Sequence, residues 1–167
     1  EQWRFTRLTS LEKMDLRPAS AAAVAGTVAI SADLPENAVT LSFSNGVLDI
    51  AGLAALPDGV TASFLSENDT ALAALAASVP ASHPVSDLSL AVMTTGLHLE
   101  IVGKVDVPII LVFTGDGNGV SSHPVVSVKL AEGASAVLAE WHQSAVGLSA
   151  PLMAIEVGDK AHLDYAK

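Results

Sequence analysis

Apolar and polar residues alternate over Val39-Thr40-Leu41-Ser42-Phe43, which predicts a strand with one buried face. Asn45-Gly46 follows. Both residues tolerate the positive φ of a tight hairpin turn. Val47–Ile50 then reads as the return strand. Leu56-Pro57-Asp58-Gly59 predicts a turn, and Val60–Leu65 a further short strand. Beyond it, Ser66–Thr70 precedes an Ala/Leu run that ends at Val79-Pro80. Asp69 or Thr70 is placed to cap the free N–H groups of a helix there, with Leu72, Leu75, Ala76 and Val79 on one face.

From Leu88 onward the reading is period 2. Leu99–Val105, Val128–Ala134 and Ile155–Ala161 resemble one another. Each is apolar, charged, apolar, then a short turn with one Gly, then a small or branched apolar residue. A further strand follows each, over 105–113, 134–141 and 161–165, and the offsets between stretches are 29 and 27 residues. Two strands per repeat of that length suggest stacked coils of a parallel β-helix. An antiparallel β-sandwich or jelly roll shows the same local alternation and stays open. Stacked coils need about three repeats and a cap. No capping element follows the last strand, which leaves Ile155, Val157, Leu163 and Tyr165 as an unpaired apolar face and predicts self-association.

The first seventeen residues are charged and amphipathic, with Trp3, Phe5, Leu8, Leu11, Met14 and Leu16 as the apolar set. They read as a short helix or docking arm. The Ala/Ser-rich stretch from Pro18 to Ala32 reads as a linker or a weakly specified strand. The expected organisation is an arm and linker over 1–38, a hairpin and short helix over 39–87, and the first coils over 88–167.

Charge narrows the function classes. The 167 residues carry 8 Lys+Arg and 18 Asp+Glu, a net of −10. Four basic residues lie in the arm, and none lies between Pro18 and Gly103. Such a surface repels nucleic acid and anionic membranes. Half the residues are apolar, which excludes a disordered chain. No window offers about 20 strongly apolar residues for a membrane span, and the charged start has no signal-like run. A cytoplasmic protein is expected. With no cysteine there is no disulfide, thiolate ligand or thiol nucleophile.

Several segments share a family pattern. Glu1-Gln2-Trp3-Arg4-Phe5-Thr6-Arg7-Leu8 resembles the Glu-x-Trp-basic-aromatic-Thr-x-Leu motif near the start of SufD proteins. His123-Pro124 through Glu132-Gly133-Ala134 resembles their His-Pro to Glu-Gly-Ala segment, and Gly158–Lys167 the Gly-to-Tyr segment after it. Val39–Gly46 is similar to the family hairpin, and Val107-Pro108-Ile109 to its Pro-Ile strand. Phe5 stands where Tyr is common, Val125 where Arg often follows His-Pro, and residues 18–36 match nothing in the family.

The resemblance implies a scaffold subunit of the SUF iron–sulfur assembly system, paired with a SufB-like protein and a SufC-like ATPase. It implies an N-terminal helical region, a central right-handed parallel β-helix and a C-terminal helical region. The likeness reaches only the first coils, so the chain is expected to be an N-terminal piece of a longer protein. An iron–sulfur cluster is then expected only in the full complex, with thiolates supplied by a partner.

Candidate chemistry is sparse. His83, His98, His123, His142 and His162 include no pair at strand or helix ligand spacing. They read as surface histidines, and His142 and His162 approach across coils only if a loop shifts. Asp106, Glu132, Glu140, Asp159 and Asp164 are carboxylates that a carbohydrate-active β-helix could use in pairs. The expectation is that they point outward for solubility. The enzyme alternative is also short of aromatic platforms, with 4% aromatic residues. Gly115-Asp116-Gly117-Asn118-Gly119 lacks the Lys-Ser/Thr of a P-loop and the closing Glu of an EF-hand, and reads as a loop between coils. No Gly-x-Ser-x-Gly elbow occurs. No catalytic, cofactor-binding or metal-binding residue is assigned, and a non-enzymatic protein is expected. A free-standing acidic β-helix that binds another protein is the remaining alternative.

Overall fold

The computed structural model describes residues 17–18, 34–80, 84–93, 96–115, 120–144 and 148–167. The chain is mainly β. Its strands are β1 (Arg17–Pro18), β2 (Val39–Ser44), β3 (Val47–Leu48), β4 (Val60–Phe64), β5 (Leu97–Ile101), β6 (Ile109–Gly115), β7 (Val120–Ser122), β8 (Val125–Leu130), β9 (Ser135–Ser144), β10 (Leu148–Ser149), β11 (Leu152–Val157) and β12 (His162–Ala166). Two α-helices are described, α1 (Asp69–Ser78) and α2 (Pro84–Val92).

The strands form three sheets. Their orders are β1-β7-β10, β11-β8-β5-β4 and β12-β9-β6-β2-β3. From β5 the chain visits the four-stranded, five-stranded and three-stranded sheets in turn, then repeats the circuit. Each return adds a parallel neighbour. Leu97 pairs with Val126 and Ile109 with Leu138, an offset of 29; Val125 pairs with Leu152, Ser135 with His162 and Ser121 with Leu148, an offset of 27. These are the spacings of the sequence repeats. Among the described strands only β2–β3 and β4–β5 pair antiparallel. The antiparallel sandwich is therefore excluded for the repeated strands.

Parallel in-register pairing puts like side chains above one another about 4.8 Å apart. Leu99, Val128 and Ile155 form one such column, and Ile101, Leu130 and Val157 the next. Phe43 stacks on Phe113 with ring centroids 5.1 Å apart. The core is built from these columns, and Leu41, Leu97, Leu99, Ile101, Ile109, Leu111 and Leu138 have no exposed surface. The helices cover the outer face of the four-stranded sheet. Leu65, Ala71 and Leu75 pack on Val125, with Leu90, Met93, Leu152 and Ala154 around them.

Local details depart from the sequence reading. The hairpin is present, with Asn45 and Gly46 at φ 51° and 87°. Its return strand ends at Leu48, because Asp49 accepts a hydrogen bond from the Ala51 N–H and starts a 3-10 segment over Ile50–Ala55. The cap of α1 is Asn68, not Asp69 or Thr70; its side chain accepts from the Ala71 N–H at 3.0 Å. The buried face of α1 is Ala71 and Leu75, while Leu72 and Val79 are half-buried and Ala76 is exposed. Alternation does not begin at Leu88, which lies within α2; it begins at Leu97. Pro84 at the first position of α2 suits a helix start, because a missing N–H costs nothing there. The strands expected over 105–113, 134–141 and 161–165 form over 109–115, 135–144 and 162–166.

Gly158 lies tightly against the preceding circuit. A Cβ there would lie 2.8 Å from the Leu130 carbonyl oxygen and 2.9 Å from the Ala131 and Glu132 backbone. Its N–H donates to the same Leu130 carbonyl at 2.9 Å. Gly158→Ala is expected to cost about 1–3 kcal/mol through overpacking against backbone that cannot yield. Chemical denaturation should show the loss, with little change in the dependence on denaturant.

Candidate functional site

The most concentrated chemistry joins the last two circuits, between β9 and the β12 end of the described strands. In β9 the inward positions run Ala136, Leu138, Glu140 and His142, since alternate strand residues share a face. Glu140 continues the column of Leu41 and Leu111. Its side chain is only 3% exposed. The sequence reading placed this acid outward with the others. It faces in because it has the parity of Leu138, and a column end leaves room for polar partners.

Three donors surround the carboxylate. His142 Nε2 lies 2.6 Å from Oε2, Lys167 Nζ lies 3.3 Å from Oε2, and the Tyr165 hydroxyl donates to Oε1. Burial pushes the Glu140 carboxyl up, but the hydrogen bonds from Tyr165 and His142 and the Lys167 charge outweigh it. The net result lies below the usual carboxylate value. Glu140 is thus ionised at neutral pH. Burial and the neighbouring carboxylate push the Tyr165 phenol up. His142 also stacks on Phe113 at 4.9 Å, ending the Phe43–Phe113 column. The cluster ties β12 to β9. A carboxylate with three donors and a depressed pKa is a poor proton acceptor, so the arrangement suits anchoring better than base catalysis.

A second buried polar pair joins α2 to the sheets. Ser89 Oγ lies 3.2 Å from His123 Nδ1 and donates to the Ala150 carbonyl at 3.0 Å. Ser89 is 1% exposed and His123 8%. With the hydroxyl proton on Ala150, His123 must donate from Nδ1 to the Ser89 oxygen. The imidazole is therefore no base for that serine. Burial holds its pKa below 6.5.

The other expected residues separate. His98 Nδ1 lies 3.1 Å from Ser127 Oγ on the neighbouring strand, and burial first of all lowers its pKa. His162 pairs with Asp164 at 3.2 Å on the surface and stands opposite Ser135, at the far end of β9 from His142. His142 and His162 are not brought together, because the register shifts neither strand. Asp106 pairs with Lys104 at 2.8 Å, and Glu132 lies 3.9 Å from Lys160. Asp159 is exposed in the turn before β12, where its carbonyl accepts from the Gly133 N–H. His123 is buried rather than on the surface. Among the described residues no group of three or more His, Asp or Glu is placed to hold a metal. His83, the 116–119 part of the Gly-rich loop and the arm with Trp3 and Phe5 lie outside the described residues.

Of the expected open face, Ile155 and Leu163 are half-buried against the core, while Val157 and Tyr165 are 48% and 43% exposed. β10, β11 and β12 are each the edge strand of a sheet. No described helix is long and apolar enough to cross a membrane. Compared with known proteins, no family model, curated protein or solved structure matches this chain.

Two stability experiments probe these groups. Glu140→Gln is expected to cost about 1.5–3 kcal/mol, the worth of hydrogen bonds to a charged group. Because the folded pKa is depressed, Glu140 contributes stability above its unfolded value of about 4.5, and this is lost as pH falls through the folded value. Acid titration of stability should be shallower in Glu140→Gln. For His123 the neutral form is favoured on folding. Stability should therefore fall as pH drops below the ordinary value of 6.5, where only the unfolded chain takes up the proton. Denaturation midpoints at about pH 7.5 and about pH 5.5 should differ less in His123→Gln than in the unmodified chain.

Proposed function

We propose that this chain is a non-catalytic, SufD-like scaffold subunit for iron–sulfur cluster assembly, whose repeated strands are the first coils of a right-handed parallel β-helix. It works in the cytoplasm with a SufB-like partner and a SufC-like ATPase, and the cluster is cargo of the complex rather than a resident of this chain. The observation that carries the reading is the register. The Val128–Ala134 stretch, which lies within one motif segment, and the Ile155–Ala161 stretch, which overlaps another over Gly158–Ala161, fall on one corner of successive circuits, 27 residues apart and hydrogen-bonded to each other. The motif glycine Gly158 sits against Leu130 of the preceding circuit, where a side chain has no room. A family motif built on contact between coils is expected at such a position.

The chemistry is compatible with a scaffold. Glu140 is saturated with donors, Ser89 is engaged with Ala150, and the chain has no cysteine. The carbohydrate-active alternative asks for two free carboxylates across a groove. Asp106, Asp164 and Glu140 each have a basic partner within 3.3 Å, and the remaining candidates, Glu132 and Asp159, are exposed on turns. The protein-binding alternative shares the fold and differs only in the partner.

Pull-down with the protein in its natural full-length form distinguishes them. A SufB-like and SufC-like pair should be retained together, in near-stoichiometric amounts and through a salt wash. Failure to retain either counts against the assembly reading, and hydrolysis of a polysaccharide panel would favour the enzyme alternative.

A further inference from the structure

We propose that the outer face of the five-stranded sheet, over β6, is a docking surface for this chain's own amphipathic arm, the segment from Trp3 to Leu16. This inference does not rest on the iron–sulfur reading; it rests on burial across one face of a sheet.

The first observation is a pair of outward side chains with almost no contact with solvent. On β6, Ile109, Leu111 and Phe113 belong to the core, so Ile110 and Val112 point out of the stack. They are nevertheless 5% and 0% exposed. Their neighbours on this face are Thr40 and Ser42 of β2 and Ala139 and Trp141 of β9. Neighbours within a sheet screen a side chain from the sides, not from above. Ile110 and Val112 belong to neither apolar cluster of the described residues, and the helices pack in the cluster around Val125 on the four-stranded sheet. A further apolar segment is needed over β6. Its cover thins at β9, where Val137 and Trp141 on the same face are 37% and 38% exposed.

The second observation selects the segment. β1 pairs with β7 in parallel, with Arg17 opposite Val120. The chain before Arg17 therefore arrives at the start of β7, which only residues 116–119 separate from the end of β6. That corner borders the face in question. The chain after Pro18 leaves the other way, in the direction in which β7 leads to β8 of the four-stranded sheet. Reach is sufficient. Residues 3–16 span about 20 Å even as a helix, and five strands measure about 19 Å across.

Composition and charge agree. Trp3, Phe5, Leu8, Leu11, Met14 and Leu16 supply large apolar side chains, whereas residues 19–33 offer Val24, Val28 and Ile30 among Ala, Ser and Gly. The first seventeen residues carry a net charge of +1 and the remainder −11, so the arm is attracted to the body it would cover.

The chain has no cysteine, so one introduced thiol reports one position. Maleimide labelling of Val112→Cys in the native chain should be slow. Adding Leu8→Asp and Leu11→Asp should speed it about ten-fold or more, because the buried apolar contact is lost. Adding Val28→Asp and Ile30→Asp instead should leave the rate unchanged. Val126→Cys, in the core, should stay slow in every background, which separates undocking from unfolding. A second readout uses Trp141, which is the one tryptophan left in a Trp3→Phe chain. Its emission should move to longer wavelength when the arm carries the two aspartates. The proposal is overturned if Val112→Cys in the unmodified background reacts as fast as an exposed Thr61→Cys thiol. It is equally overturned if the rate answers to the 28/30 substitutions and not to those at 8 and 11, or if Val126→Cys accelerates in parallel. Labelling that slows as protein concentration rises would place the arm on a second copy and also overturn it.

Discussion

The structure depends on one constraint, the parallel in-register return of the chain to the same sheet. Once β8 lies beside β5 and β11 beside β8, each residue of these strands has a counterpart 29 or 27 positions away. A single register then sets the whole interior, since a slip by one residue would turn every apolar side chain outward. The buried columns and the tight approach at Gly158 both follow from it. The helices are secondary. They shield one outer face, and α2 is pinned there by the bond between Ser89 and the Ala150 carbonyl.

The same constraint makes the last two circuits chemically different from those before them. Columns that are aliphatic or aromatic in β2 and β6 end in Glu140 and His142 on β9. Those groups need partners that neighbouring aliphatic side chains cannot supply. Tyr165 and Lys167 provide them, and so hold β12 in place by charge-assisted hydrogen bonds rather than by apolar contact alone. This explains how a strand with four exposed residues among five remains attached to its sheet. It also makes that attachment dependent on an ionised carboxylate.

Much of the fold was legible. The alternation over 99–105, 128–134 and 155–161 was enough to find both offsets, because inward positions in stacked circuits demand similar residues. The Asn45-Gly46 turn was legible for the same reason that it forms: few residues accept positive φ. The helix α2 was missed, although Pro84 marks a helix start, because its apolar residues blend into the strand pattern that follows. The cap, Asn68, lies one or two residues before the expected Asp69 or Thr70, which have the same capping chemistry. The site was less legible. Glu140 was read as outward on the strength of its charge, when its parity with Leu138 already put it on the inner face.

The sequence by itself determined the mainly β character, the hairpin and the period of the repeat, because these depend on alternation and turn chemistry within a few residues. Only the tertiary structure decided which polar groups meet. The pairing of Glu140 with Tyr165 and Lys167, the burial of His123 against Ser89 and the separation of His142 from His162 all depend on register between strands distant in the chain. Register is a property of two strands at once, and no local pattern contains it.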